Sequence, residues 1–162
     1  GGAELAAELG AVSADHLIFI SEKGIKALAQ SGTVAVLLPG TCFSLGLKKY
    51  APARKMIESG VTIALSTDCN PGSNYTESMQ IIIALAAQAY RLTAAEALTA
   101  MTVNAACALD RGGRLGQILP GLPADLVLWD VNDYRELPYH YGVNLAAAVI
   151  KKGKVVVTRK TN

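Results

Sequence analysis

Asp68 and His16 are the residues of this chain whose types and positions best suit chemistry. Asp68 follows the apolar run Val61, Ile63, Ala64 and Leu65 and precedes a turn built from Asn70, Pro71 and Gly72. An apolar run of that length, stopped by Pro-Gly, suits a buried strand with the carboxylate at its carboxyl end. In parallel α/β folds, ligands and catalytic groups gather at that edge, because loops there vary without disturbing the core. His16 closes another strand-like run, residues 11 to 17. An imidazole and a carboxylate on one rim suit a metal such as zinc or iron, together with further imidazoles. A carboxylate touching both metal and water can also accept that water's proton. These two residues do not complete a site, which takes about three protein ligands and an open position.

Each candidate also has a plainer reading. Asp68 is also compatible with bracing its turn or capping the next helix, and His16 with a satisfied histidine on the approach to a helix. His140, in P-Y-H-Y-G, lies among aromatics and reads as packing or turn structure. Cys69 has no basic neighbour in sequence and reads as a small apolar filler rather than a nucleophile. Asn70 and Gly72 are turn residues whose amide groups could also meet a bound anion or amide.

The elements that must position these residues alternate. Residues 3 to 10 (A-E-L-A-A-E-L-G) read as a short helix with a Gly stop. A second helix opens at Ser21-Glu22, with Ile25, Leu28 and Ala29 at helical spacing. Thr33 to Leu38 is a β-branched apolar run, ended by a Pro39-Gly40-Thr41 turn, and reads as a buried parallel strand. Residues 51 to 59 carry Pro near the start and Gly60 past the end, as helices do. The strand leading to Asp68 follows. Helix and strand in alternation mean βα units on a parallel sheet, which leaves a barrel or an open doubly wound sheet. Residues 75 to 90 predict a long helix, apolar on nearly every face and therefore packed on more than one side. Thr93 and Glu96 form a capping box for the next helix, and residues 102 to 109 predict one more. From residue 111 onward Gly and Pro break up the chain. Strands at residues 125 to 131 and 145 to 150 follow, the latter turning at Lys152-Gly153 into Val155 to Thr158. These features divide the chain into residues 1–110 and 111–162, the second expected to be all-β and too small to bury a core unaided.

The chain has 162 residues, 51% hydrophobic and 17% charged, with a net charge of +2. That is a globular composition without an electrostatic footprint for nucleic acid. Lys151, Lys152, Lys154, Arg159 and Lys160 read instead as a solvated strand edge. Three dispersed cysteines fit neither a disulfide scaffold nor a thiolate zinc site and suit a reducing cytoplasm. No apolar run reaches the ~18 residues of a membrane span.

S-T-D-C-N-P-G-S resembles the segment after the last barrel strand of the imidazolonepropionases, members of the amidohydrolase superfamily. G-G-A-E-L-A-A-E-L-G-A-V-S-A-D-H-L, V-A-V-L-L-P-G and G-Q-I-L-P-G-L-P-A-D-L-V-L-W-D agree, so the resemblance covers essentially the whole chain. The last motif is specific only to the superfamily. The resemblance implies α/β architecture: about three βα units, the sixth to eighth, of a metal-dependent (β/α)8 TIM barrel, plus the C-terminal strands of a small β-sandwich. It implies one divalent metal ion, zinc or iron, with Asp68 as a metal ligand and His16 assisting catalysis. Asn70 and Gly72 match residues that hold the ring-opened product. Ser73 replaces a usual Thr that touches the substrate, keeping the hydroxyl. The implied reaction is hydrolysis of the cyclic amide of 4-imidazolone-5-propanoate to N-formimidoyl-L-glutamate in histidine degradation. Water activated by the metal attacks the lactam carbonyl, and the full-length enzyme is a homodimer acting on a small molecule. The family's H-x-H pair, its fifth-strand His and a nearby Glu have no counterpart here, so the chain is expected to be the C-terminal portion of such an enzyme, inactive and poorly soluble alone. Another cyclic-amide hydrolase or deaminase of the superfamily, or a non-catalytic structural module, remains the alternative.

Overall fold

The computed structural model describes residues 1–159, so Lys160 of the basic cluster lies outside the described residues. Three short parallel strands, β1 (Ser13–Asp15), β2 (Val34–Leu37) and β3 (Ile63–Leu65), form a sheet in the order β1-β2-β3. Asp15 lies opposite Val36, and Val36 opposite Ala64. Successive residues of a strand face opposite sides. Ala35, Leu37, Ile63 and Leu65 accordingly join one hydrophobic cluster with Ile25, Leu28, Met56, Ile82 and Ile83. The alternate residues Ser13, Asp15, Val36, Ala64 and Ser66 line a hollow of about 240 Å³ against Ala105, Ala108 and Leu109.

The helices before and between the strands follow their sequence signals. α1 (Gly2–Glu8) packs on α2 (Glu22–Ser31) where Gly24 leaves room: a Cβ there would stand 3.1 Å from the Ala3 methyl. The Ser21 hydroxyl accepts from the Gly24 amide at 2.9 Å, and Gly32 ends α2 at φ +75°. Pro39-Gly40 does more than end a strand. Pro39 begins a further helix, α3 (Pro39–Ser44), since a proline's fixed φ suits the first helical position. α4 (Ala53–Glu58) then leads to β3.

Beyond β3, α5 begins later than its composition predicts, spanning Met79–Ala89 rather than residues 75 to 90. The intervening chain is held as a loop by an Asn70–Asn74 bridge, with the Asn70 amide donating to the Asn74 carbonyl at 2.9 Å. Ile82, Ile83 and Ala86 are buried, and α5 touches α3, α6 (Ala94–Met101) and α8 (Glu136–Tyr139). The capping box of α6 forms as expected: Thr93 Oγ1 accepts from the Glu96 amide at 3.2 Å, and the Glu96 carboxylate accepts from the Thr93 amide at 2.8 Å. α7 (Val103–Ala108) lies against β2 and β3, with Asn104 Nδ2 donating to the Ile63 carbonyl at 2.8 Å.

A second sheet, antiparallel in the order β4 (Leu126–Trp129), β5 (Ala146–Lys151), β6 (Lys154–Thr158), completes the chain. Lys152 and Gly153 both have positive φ, +50° and +76°, as a two-residue primed turn requires. The Asp125 carboxylate holds this turn, accepting from the Lys152 amide at 2.8 Å and pairing with the Lys151 ammonium. The expectation of an all-β segment is corrected by α8, whose Leu137 is buried in the main cluster. This single turn is organised by Glu136 Oε1, which accepts from the amides of Asn132 and Asp133. Four residues are too few to show helical periodicity. The architecture is α/β, and no helix among the described residues is long and apolar enough to cross a membrane.

Candidate active site

Beyond the carboxyl end of β3, Asp68 adopts φ +53°, a left-handed conformation that Asp tolerates better than most residues. The loop after it stabilises this bend locally. Asn70 Nδ2 donates to the Asp68 carbonyl at 2.7 Å, while Asn70 Oδ1 accepts from the amides of Gly72 and Ser73, each at 2.9 Å. The loop is thus an Asx-type turn in which Asn70 and the Gly72 amide satisfy each other. Ser73 Oγ lies 2.9 Å from Asn70 Nδ2 and 3.5 Å from Asp68 Oδ2. Asp68, Asn70, Gly72 and Ser73 therefore form one hydrogen-bonded unit.

Two residues without a predicted role complete it. The Thr41 hydroxyl, in the first turn of α3 and 5% exposed, donates to Asp68 Oδ2 at 2.6 Å. Asn74, also buried, donates from Nδ2 to the Thr67 carbonyl at 2.5 Å. Gly40 permits this closeness: a Cβ there would collide with Asn74 Nδ2 and stand 2.8 Å from Ile82 Cδ1. Thr41 immediately follows the Pro-Gly that ends β2, the one sequence signal that places it on the same rim as Asp68.

His16 follows β1, its amide donating to the Val36 carbonyl at 3.0 Å. With φ +67° at His16 and +57° at Leu17 the chain turns sharply, and the ring is exposed. It lines a surface hollow with Glu4, Leu17 and Phe19. No hydrogen bond among the described residues joins it to Asp68 or the loop 70 to 74. His140 is exposed at the end of α8. Cys69 is exposed too, which corrects its reading as a packed filler; Cys42 is the buried cysteine, and burial pushes its thiol pKa up.

As a metal ligand Asp68 fits by donor chemistry. Its Oδ2 accepts from the Thr41 hydroxyl, with Ser73 Oγ 3.5 Å away, while Oδ1 accepts no hydrogen bond among the described residues. No group of three or more His, Cys, Asp or Glu that could hold a metal ion occurs among the described residues.

Known proteins resemble this chain in sequence and in fold. The chain is 56% identical to the imidazolonepropionase of Bacillus velezensis over 99% of its own length and 38% of that protein. It is 55% identical to the imidazolonepropionase of a Geobacillus species, over 97% of this chain and 37% of that protein. The chain thus spans little more than a third of the length of the curated relatives it matches. Among solved structures, an adenosine deaminase from Xanthomonas campestris with bound zinc superposes with a TM-score of 0.79 at 26% identity, covering 90% of this chain and 37% of that one. A zinc-complexed atrazine chlorohydrolase from Arthrobacter aurescens gives a TM-score of 0.80 at 25% identity, covering 90% of this chain and 36% of that one. Residues 5–158 match the amidohydrolase family, and the chain belongs to it.

Proposed function

We propose that this chain is the C-terminal part of an imidazolonepropionase, hydrolysing the cyclic amide of 4-imidazolone-5-propanoate to N-formimidoyl-L-glutamate. The observation that carries the reading is the 56% identity to an imidazolonepropionase across 99% of the chain. In this reading residues 1–110 are the last three βα units of a (β/α)8 barrel, and residues 111–162 belong to a small β-sandwich. One divalent ion, zinc or iron, is bound at the barrel rim, with Asp68 as one ligand and the remaining ligands outside this chain. The enzyme is a cytoplasmic homodimer that acts on a small molecule.

When bound, the metal lowers the pKa of water towards neutrality and so supplies a nucleophile. Asp68 accepts the proton that water loses as its oxygen adds to the lactam carbonyl carbon. That proton passes to the ring nitrogen as the C–N bond breaks. His16 donates a hydrogen bond to the carbonyl oxygen, where negative charge develops. Asn70 and Gly72 hold the ring-opened product, and the Ser73 hydroxyl touches the substrate.

The test is a hybrid enzyme in which this chain replaces the matching 38% of the B. velezensis protein. Conversion of 4-imidazolone-5-propanoate to N-formimidoyl-L-glutamate by the purified hybrid is expected. A folded, metal-loaded hybrid that ignores this substrate but hydrolyses or deaminates another cyclic amide would replace the proposal with the broader reading of a related amidohydrolase.

A further inference from the structure

We propose that Thr41 is a positioning residue for Asp68: it commits Oδ2 of the carboxylate to the protein and leaves Oδ1 as the oxygen available to a metal ion. The inference rests on the role given to Asp68 above. A carboxylate has two nearly equivalent oxygens and can ligate through one or both. Which it does decides whether a coordination position stays open, as a catalytic metal centre requires. A free Asp side chain on a loop does not make that choice by itself.

Here the choice is imposed from the neighbouring βα unit. The Thr41 hydroxyl is 2.6 Å from Oδ2, a short hydrogen bond to an anionic acceptor, and its residue is 5% exposed. Thr41 is a stiff platform. Its β-branched side chain has restricted χ1, Pro39 fixes the start of α3, and the Thr41 carbonyl accepts from the Leu45 amide at 3.1 Å. The two backbones are tied as well. Gly40 packs against Asn74 without room for a Cβ, and Asn74 holds the carbonyl of Thr67, the residue before Asp68. The Ser73 hydroxyl lies on the same side of the carboxylate, 3.5 Å from Oδ2 and 3.2 Å from Asn70 Oδ1. Every side-chain hydrogen bond Asp68 accepts among the described residues therefore falls on one oxygen.

The test uses the hybrid enzyme with Thr41→Val, which keeps shape and removes the donor, and Thr41→Ser, which keeps the donor. Two quantities are read: kcat and KM separately, and zinc retention by competition with a chelating dye. Partners of metal-binding residues typically contribute about 10- to 100-fold to metal affinity or activity. Thr41→Val is expected to lower kcat and zinc affinity by about that factor with KM little changed, and Thr41→Ser to recover to within about threefold. Unaltered zinc retention and kcat in Thr41→Val would overturn the proposal. So would equal losses in both variants with lowered melting temperatures, which would assign Thr41 to packing. The zinc comparison decides the matter even where the hybrid acts on a different substrate, so failure of this inference and failure of the proposed activity are told apart.

Discussion

The two sheets of this chain use similar residues to opposite effect. In the parallel sheet Ala35, Leu37, Ala64 and Leu65 are almost completely enclosed, covered by helices that the same chain supplies. In the antiparallel sheet Val155, Val156 and Val157 are 60%, 57% and 57% exposed, and every residue of β6 is open to solvent. β-branched residues in strands normally pack on a covered face. β6 leaves both of its faces open, and the antiparallel region joins the core of the parallel region mainly through Leu137, Leu145, Trp129 and Val131. The candidate site belongs to the parallel region. Its loop is held by bonds to α3 and to itself, none of which involve the second sheet.

This contrast can be broken by substitution, most strongly in the parallel core. Leu37→Ala removes a side chain with no exposed area and is expected to destabilise the protein by about 3–4 kcal/mol in denaturant unfolding. A loss below about 1 kcal/mol would mean that the parallel sheet is not the core. Gly40→Ala comes next. Its Cβ drives Asn74 and Ile82 apart, at a cost of about 1–3 kcal/mol, with Asp68 displaced as the loop shifts. Wild-type stability together with wild-type zinc retention in the hybrid would show that Gly40 merely fills space.

Glu96 gives a smaller, pH-dependent effect. A bidentate hydrogen bond from Arg54, at 2.8 Å to each oxygen, and the Thr93 cap hold its pKa down to about 2. Because the folded value lies below the unfolded one, this stabilisation is present above about pH 4.5 and is lost as pH falls towards 2. Both partners are about a third exposed, so screening limits the effect; Glu96→Gln is predicted to cost about 1 kcal/mol at neutral pH and less in acid. A melting-temperature difference that stayed constant from pH 6 to pH 3 would contradict this origin. The smallest effect belongs to the second sheet. Val156→Thr on the exposed β6 is expected to change stability by less than about 0.5 kcal/mol, and a large loss would show that β6 is covered in solution.

The elements that announced themselves in sequence are those specified locally. β2 is an unbroken apolar run, the α6 capping box is written within four residues, and Lys152-Gly153 marks its own hairpin turn. What sequence concealed depends on distance. The hydroxyl of Thr41 and the carboxylate of Asp68 are 27 positions apart, and nothing in either neighbourhood specifies that they bond. The late start of α5 has a similar cause, since residues 75 to 78 are compatible with helix until the Asn70–Asn74 bridge holds the chain in a loop. The position of Asp68 was legible as a strand-end acid; which of its oxygens stays free needed the fold.

The proposed function requires Asp68 to serve a metal site completed by sequence outside this chain. The most direct measurement compares turnover of 4-imidazolone-5-propanoate and bound metal per chain in the hybrid enzyme with and without Asp68→Asn. We predict an active hybrid carrying about one metal ion, and a folded Asp68→Asn variant with turnover lowered by about 10³-fold or more and metal retention weakened. Full activity and metal content in Asp68→Asn, or turnover by the 162-residue polypeptide on its own, would contradict it.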